Sequence, residues 1–81
     1  MRILLVEDDD LLGDGVEAGL KQAGYTVDWV RDGKAGELAM SCEHYDAAIL
    51  DINLPRQSGL ETLAKRRSAG DNTPVLLLTA R

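Results

Sequence analysis

The chain has 81 residues, a formal net charge of −5 and 44 % hydrophobic residues. That suits one small globular domain and is too apolar for a disordered tail. The acidic balance argues against a direct grip on a nucleic-acid backbone, and the single Cys42 excludes an internal disulfide and fits a reducing compartment.

Ile3-Leu4-Leu5-Val6 is a short unbroken apolar run, the pattern of a strand buried on both faces. Met1-Arg2 leads straight into it without a signal-peptide pattern, and no apolar run is long enough to span a membrane, so the expected location is cytoplasmic. The strand ends in four acids, Glu7-Asp8-Asp9-Asp10. A helix follows, with Leu12, Val16 and Leu20 on one face, Asp9 as its N-cap and Gly24 closing it. Tyr25 to Val30 is β-rich but carries Asp28, which marks an edge strand. Asp32-Gly33 reads as a turn. Ala35, Leu38, Ala39 and Cys42 then recur at helical spacing, which places Cys42 in the core. His44 precedes the third strand, away from the acids. Ala47-Ala48-Ile49-Leu50 is another buried strand, and it runs directly into Asp51, then Ile52-Asn53-Leu54-Pro55 and a loop to Gly59. Leu60, Leu63, Ala64 and Arg67 mark a third helix that closes around Gly70. Val75 to Leu78 is a fourth strand, ending in Thr79-Ala80-Arg81.

Strands alternating with helices predict an α/β fold with a parallel sheet. In a doubly wound sheet the first and third strands are neighbours and the fourth lies beyond the third. The carboxyl ends of these strands then bring Glu7, Asp8, Asp51 and Thr79 to one edge. Crowded carboxylates repel unless a cation sits among them, and Mg²⁺ suits oxygen ligands of this kind. Asp8 and Asp51 are the candidate ligands, with Glu7 acting through water and the backbone carbonyl of Asn53 adding an oxygen. The competing reading of Glu7 to Asp10 is a solvated helix start, and it is preferred for Asp9 and Asp10. A metal beside a strand-end carboxylate points to phosphoryl transfer, with Asp51 attacking phosphorus and the Thr79 hydroxyl holding an equatorial oxygen. On their own, Asp51 could equally cap the next loop and Thr79 could bond to local backbone.

Val6-Glu7-Asp8, then Asp51-Ile52-Asn53-Leu54-Pro55 with Gly59, then Leu78-Thr79-Ala80-Arg81 resemble the receiver domain of two-component response regulators. The likeness runs the whole length. Arg2 to Asp9 and Asp32-Gly33 are most similar to the regulators that carry a winged-helix DNA-binding domain. The resemblance implies a flavodoxin-like sheet in which Asp51 is the phosphoacceptor, served by a histidine of a sensor histidine kinase. It implies that Glu7 and Asp8 help hold Mg²⁺, that Thr79 is the switch hydroxyl, and that Leu11, Leu12 and Gly15 lie on the kinase-docking helix. His44 is not read as a phosphodonor.

The family pattern has five strands in the order 2-1-3-4-5. Residues 1–81 are therefore expected to be an incomplete receiver, strand order 2-1-3-4, without the lysine of the fifth strand, the aromatic switch partner or the DNA-binding domain. DNA would be a partner only through that further C-terminal domain. The fourth strand would be an exposed edge, so non-native association of copies through it, or by swapping elements, is expected. The function expected is a signalling acceptor and not a turnover enzyme. The alternative is a remnant that binds divalent metal weakly and is not phosphorylated. A phosphatase of the haloacid-dehalogenase type would need an acid where Asn53 stands. A flavodoxin-like binding module would need a phosphate-binding loop where Glu7 to Asp10 stand.

Overall fold

Short runs of Leu, Val and Ile alternate with helical stretches, and the computed structural model, which describes residues 1–78, folds them in that order. The elements are β1 (Arg2–Val6), α1 (Asp10–Gln22), β2 (Thr26–Val30), α2 (Gly33–Cys42), β3 (Ala47–Asp51), α3 (Gly59–Ser68) and β4 (Val75–Leu78). The strands form one parallel sheet in the order β2-β1-β3-β4, with Val6 level with Val30 on one side and Leu50 on the other. The predicted order 2-1-3-4 is the order found, and β2 is an edge as its charge implied. Among the described residues no helix is long and apolar enough to cross a membrane.

Each helix starts on a side-chain cap. Asp9 accepts from the amide of Leu12 (3.1 Å), Asp32 from Ala35 (2.8 Å) and Ser58 from Glu61 (3.1 Å). Such caps satisfy amides that have no partner within the helix. Asp32-Gly33 is thus not a free-standing turn but the start of α2. α1 ends with the Gly24 amide on the Lys21 carbonyl and the Tyr25 amide on the Leu20 carbonyl, both 3.0 Å. This double bond pattern needs a left-handed residue, and Gly24 has φ +97°. Gly70 ends α3 in the same way.

The main core is Leu4, Val6, Met40, Tyr45, Ala48, Leu50 and Leu54, with Leu63, Val75 and Leu77 packed against it. Leu4 and Leu50 are fully buried, worth about 1.5–3 kcal/mol each against an exposed side chain. Two helices meet this core only in part through their large apolar residues, Ala39 of α2 and Leu63 of α3 among them. On α2 the buried residues are Gly33, Gly36 and Met40, whereas Leu38 is 65 % exposed. A Cβ on Gly36 would stand 3.0 Å from Val6 Cγ2, so the helix lies close to β1 along its glycine face. That approach leaves Cys42 exposed to solvent, so the assignment of Cys42 to the core is corrected. On α3 Gly59 and Thr62 are buried and Leu60 is half-exposed.

Candidate functional site

β1 and β3 are neighbours, so the residues at their carboxyl ends share one rim of the sheet. Glu7 follows β1 and is fully buried; Asp51 ends β3 and is 2 % exposed; Asp8 is exposed. The Glu7 amide prolongs the β1–β2 ladder by donating to the Val30 carbonyl (3.1 Å), which aims the next two residues past the sheet edge. A carboxylate oxygen from each of Glu7, Asp8 and Asp51 lies within 4.8 Å of the other two. At an effective dielectric of about 20, two unit charges at that distance repel by about 3 kcal/mol. A divalent cation would turn that repulsion into attraction, and an all-oxygen set open to solvent on the Asp8 side fits a hard ion such as Mg²⁺.

Local structure fixes the Glu7 and Asp51 carboxylates. Glu7 accepts from the Asp9 amide (2.9 Å), and Asp51 accepts from the Asn53 amide (3.3 Å). The Gly59 amide donates to the Ile52 carbonyl (2.9 Å), folding the loop after β3 back on itself. A Cβ on Gly59 would overlap the main-chain oxygen of Asp51. Only glycine lets α3 begin this close to the acid. Of the residues expected at the site, Glu7, Asp8 and Asp51 come together. Asn53 is exposed in the adjoining loop, with its amide directed at Asp51. Thr79 lies outside the described residues. His44 is exposed in the loop before β3, at the other end of that strand from Asp51.

Three residues of the surroundings were not anticipated. Trp29, on β2, donates its indole N–H to the Glu7 carbonyl (2.9 Å) and covers Gly13 of α1. Arg31 stacks on the Trp29 ring with its guanidinium 4.2 Å from the centroid, and pairs with Asp10. Gln57 is buried within the loop after β3. An aromatic near a strand end was the only available signal for Trp29. Nothing in a Pro-Arg-Gln-Ser loop signals a buried glutamine.

A parallel sheet with an acidic, cation-compatible pocket on its carboxyl rim defines a doubly wound α/β domain with its site at the switch point. Residues 3–81 match the response regulator receiver domain, and the chain belongs to that family. It is 59 % identical, over all 81 residues, to the response regulator protein PmrA of Pseudomonas aeruginosa, of which it covers 37 %. It is 52 % identical to the transcriptional regulatory protein QseB of Haemophilus influenzae, again over 100 % of this chain and 37 % of that protein. The chain thus spans little more than a third of these curated relatives. Among solved structures it is similar to the receiver domain of a P. aeruginosa sensor histidine kinase with a magnesium ion coordinated in its active-site cleft. There the TM-score is 0.94 and the identity 34 %, covering 99 % of this chain and 67 % of the other.

Proposed function

We propose that this chain is the phosphoacceptor part of a two-component response regulator, taking a phosphoryl group on Asp51 from a sensor histidine kinase. The observation that carries the reading is the meeting of Glu7, Asp8 and Asp51 within 4.8 Å at the ends of adjacent strands. Asp51 is the nucleophile. One of its oxygens forms a bond to phosphorus while the bond to the kinase's imidazole nitrogen breaks, and the electron pair leaves with that nitrogen. Asp8, Asp51 and the Asn53 carbonyl are assigned as Mg²⁺ ligands, with Glu7 acting through water. Mg²⁺, when bound, supplies positive charge against the equatorial phosphoryl oxygens. Burial of Asp51 excludes competing water, and the Asn53 amide holds one carboxylate oxygen so that the acid presents a fixed edge. Thr79 is assigned as the hydroxyl that follows the phosphoryl group. The chemistry ends in a modified protein and not in a released product.

The kinase is proposed to dock on α1, where Leu11 is 84 % exposed, Leu12 38 % exposed and Gly15 open to solvent. In the whole protein the proposed output is control of transcription, which the name of the transcriptional regulatory protein QseB supports; a separate DNA-binding domain and a cytoplasmic location are part of the same proposal. β4 is an edge strand among the described residues, with Leu76 61 % exposed, and pairing of two copies along it is proposed.

Incubation with Mg²⁺ and a small phosphodonor, followed by intact-mass measurement, tests the central assignment. Expected is one phosphoryl adduct on the wild type and none on Asp51→Asn or after chelation of the metal. An adduct that persists in Asp51→Asn removes Asp51 from its role.

A further inference from the structure

Gln57 is 4 % exposed, and its bonds leave the loop in two directions. Its side-chain nitrogen donates to the Thr62 hydroxyl (3.0 Å) and to Glu37 Oε1 (3.1 Å), while its oxygen accepts from Lys65 Nζ (2.9 Å). Glu37 belongs to α2, and Thr62 and Lys65 belong to α3. The main chain repeats the connection. The Gly33 amide donates to the Pro55 carbonyl (3.3 Å), and so does the Gln57 amide (2.8 Å). A Cβ on Gly33 would overlap the Gln57 carbonyl, so α2 begins in direct contact with this loop. An apolar side chain of the same volume would fill the space without the desolvation cost of a buried amide. It would not give the loop one fixed address between two helices.

The loop matters because it carries the Asn53 peptide, whose amide holds Asp51 at 3.3 Å. We propose that Gln57 is a positioning residue of the cation pocket: by clamping residues 52–58 between α2 and α3 it fixes the Asn53 peptide beside Asp51, and so sets the affinity for Mg²⁺. The inference rests on the reading of Glu7, Asp8 and Asp51 as the Mg²⁺ site.

Trp29 is the one tryptophan of the chain, and its indole is bonded to Glu7, so its fluorescence reports on the pocket. The 81-residue chain is titrated with Mg²⁺ as wild type, Asp51→Asn, Gln57→Leu, Lys65→Met and Tyr45→Phe. Expected is tighter binding by wild type than by Asp51→Asn. Gln57→Leu should bind about tenfold more weakly, the loss typical of a residue that orients metal ligands. Tyr45→Phe removes a partly buried hydrogen bond at the other end of β3; it should lower Tm and leave the Kd unchanged. A Gln57→Leu protein with a lower Tm but the wild-type Kd makes Gln57 structural only and overturns the proposal. If wild type and Asp51→Asn titrate alike, the reading of the Mg²⁺ site fails, and the role of Gln57 fails with it. If Gln57→Leu does not fold, Lys65→Met decides. That variant cuts one bond at an exposed position: a weaker Mg²⁺ affinity supports the clamp, and an unchanged one overturns it.

Discussion

Asp28 accepts from the Tyr45 hydroxyl (2.7 Å) and from Arg2 through both Nε (3.1 Å) and Nη2 (2.9 Å). The Tyr45 bond, with help from Arg2, holds the Asp28 carboxyl below its ordinary range although burial opposes this. Burial, reinforced by the Asp28 carboxylate, pushes the Tyr45 phenol up to about 12. A phenol whose pKa is raised by folding stabilises the fold below its unfolded pKa, and that stability is lost as pH rises from 10.0 to about 12. Asp28 acts in the opposite direction, stabilising above its unfolded pKa of 3.8 and losing this as pH falls below it. Alkaline denaturation followed by circular dichroism should therefore show a drop on the order of 1–2 kcal/mol across the phenol window, after allowing for solvent screening of the half-exposed partners. Tyr45→Phe should remove that drop, and an unchanged profile would contradict it. At Gly59 the close approach to the Asp51 carbonyl leaves no room for a methyl group. Gly59→Ala is expected to lose about 1–3 kcal/mol in urea denaturation, and a neutral substitution would mean that α3 can retreat from the acid.

The existence and order of every described element were legible in the residues, because unbroken apolar runs and helical spacing are local signals. How α2 and α3 meet the core was legible only in part. An apolar stripe counts large letters, and on α2 it put Cys42 inward; Ala39 and Leu63 do pack on the core, but the closest approaches fall on small or polar positions, Gly36 against Val6 and Thr62 beside Gln57. Asp28 was read from its charge as an edge marker. The edge is real, but the charge is engaged by Arg2 on the neighbouring strand and by Tyr45 from a distant loop. The acids of the site were legible because strand ends converge by topology alone, which needs no side-chain detail. Gln57 and Trp29 were not, since their partners lie on other elements. The cap of α3 offers a check at this scale. Ser58→Ala removes the oxygen that accepts from Glu61, and should lower stability by about 1 kcal/mol in urea denaturation; an unchanged midpoint would mean that the cap is redundant.

At the scale of the whole molecule the charges are segregated. Asp8, Asp9, Asp10 and Asp14 crowd the start of α1, while Lys65, Arg66 and Arg67 gather in the last turn of α3. The acidic end is also the cation end, so metal binding is the event that most changes the field there. At the far side of the sheet, the β4 edge predicts self-association. Sedimentation of the wild type should give concentration-dependent dimers that Leu76→Lys disperses, and a wild-type monomer at every concentration would rule the edge out. The most direct test of the pocket itself is a calorimetric titration with Mg²⁺ of the wild type, Asp8→Asn and Asp14→Asn. One site in the wild type, weakened about tenfold or more in Asp8→Asn and unaltered in the Asp14→Asn control, is the expected result. Wild-type binding by Asp8→Asn, or an equal loss in both variants, would mean that the strand-end carboxylates do not act together.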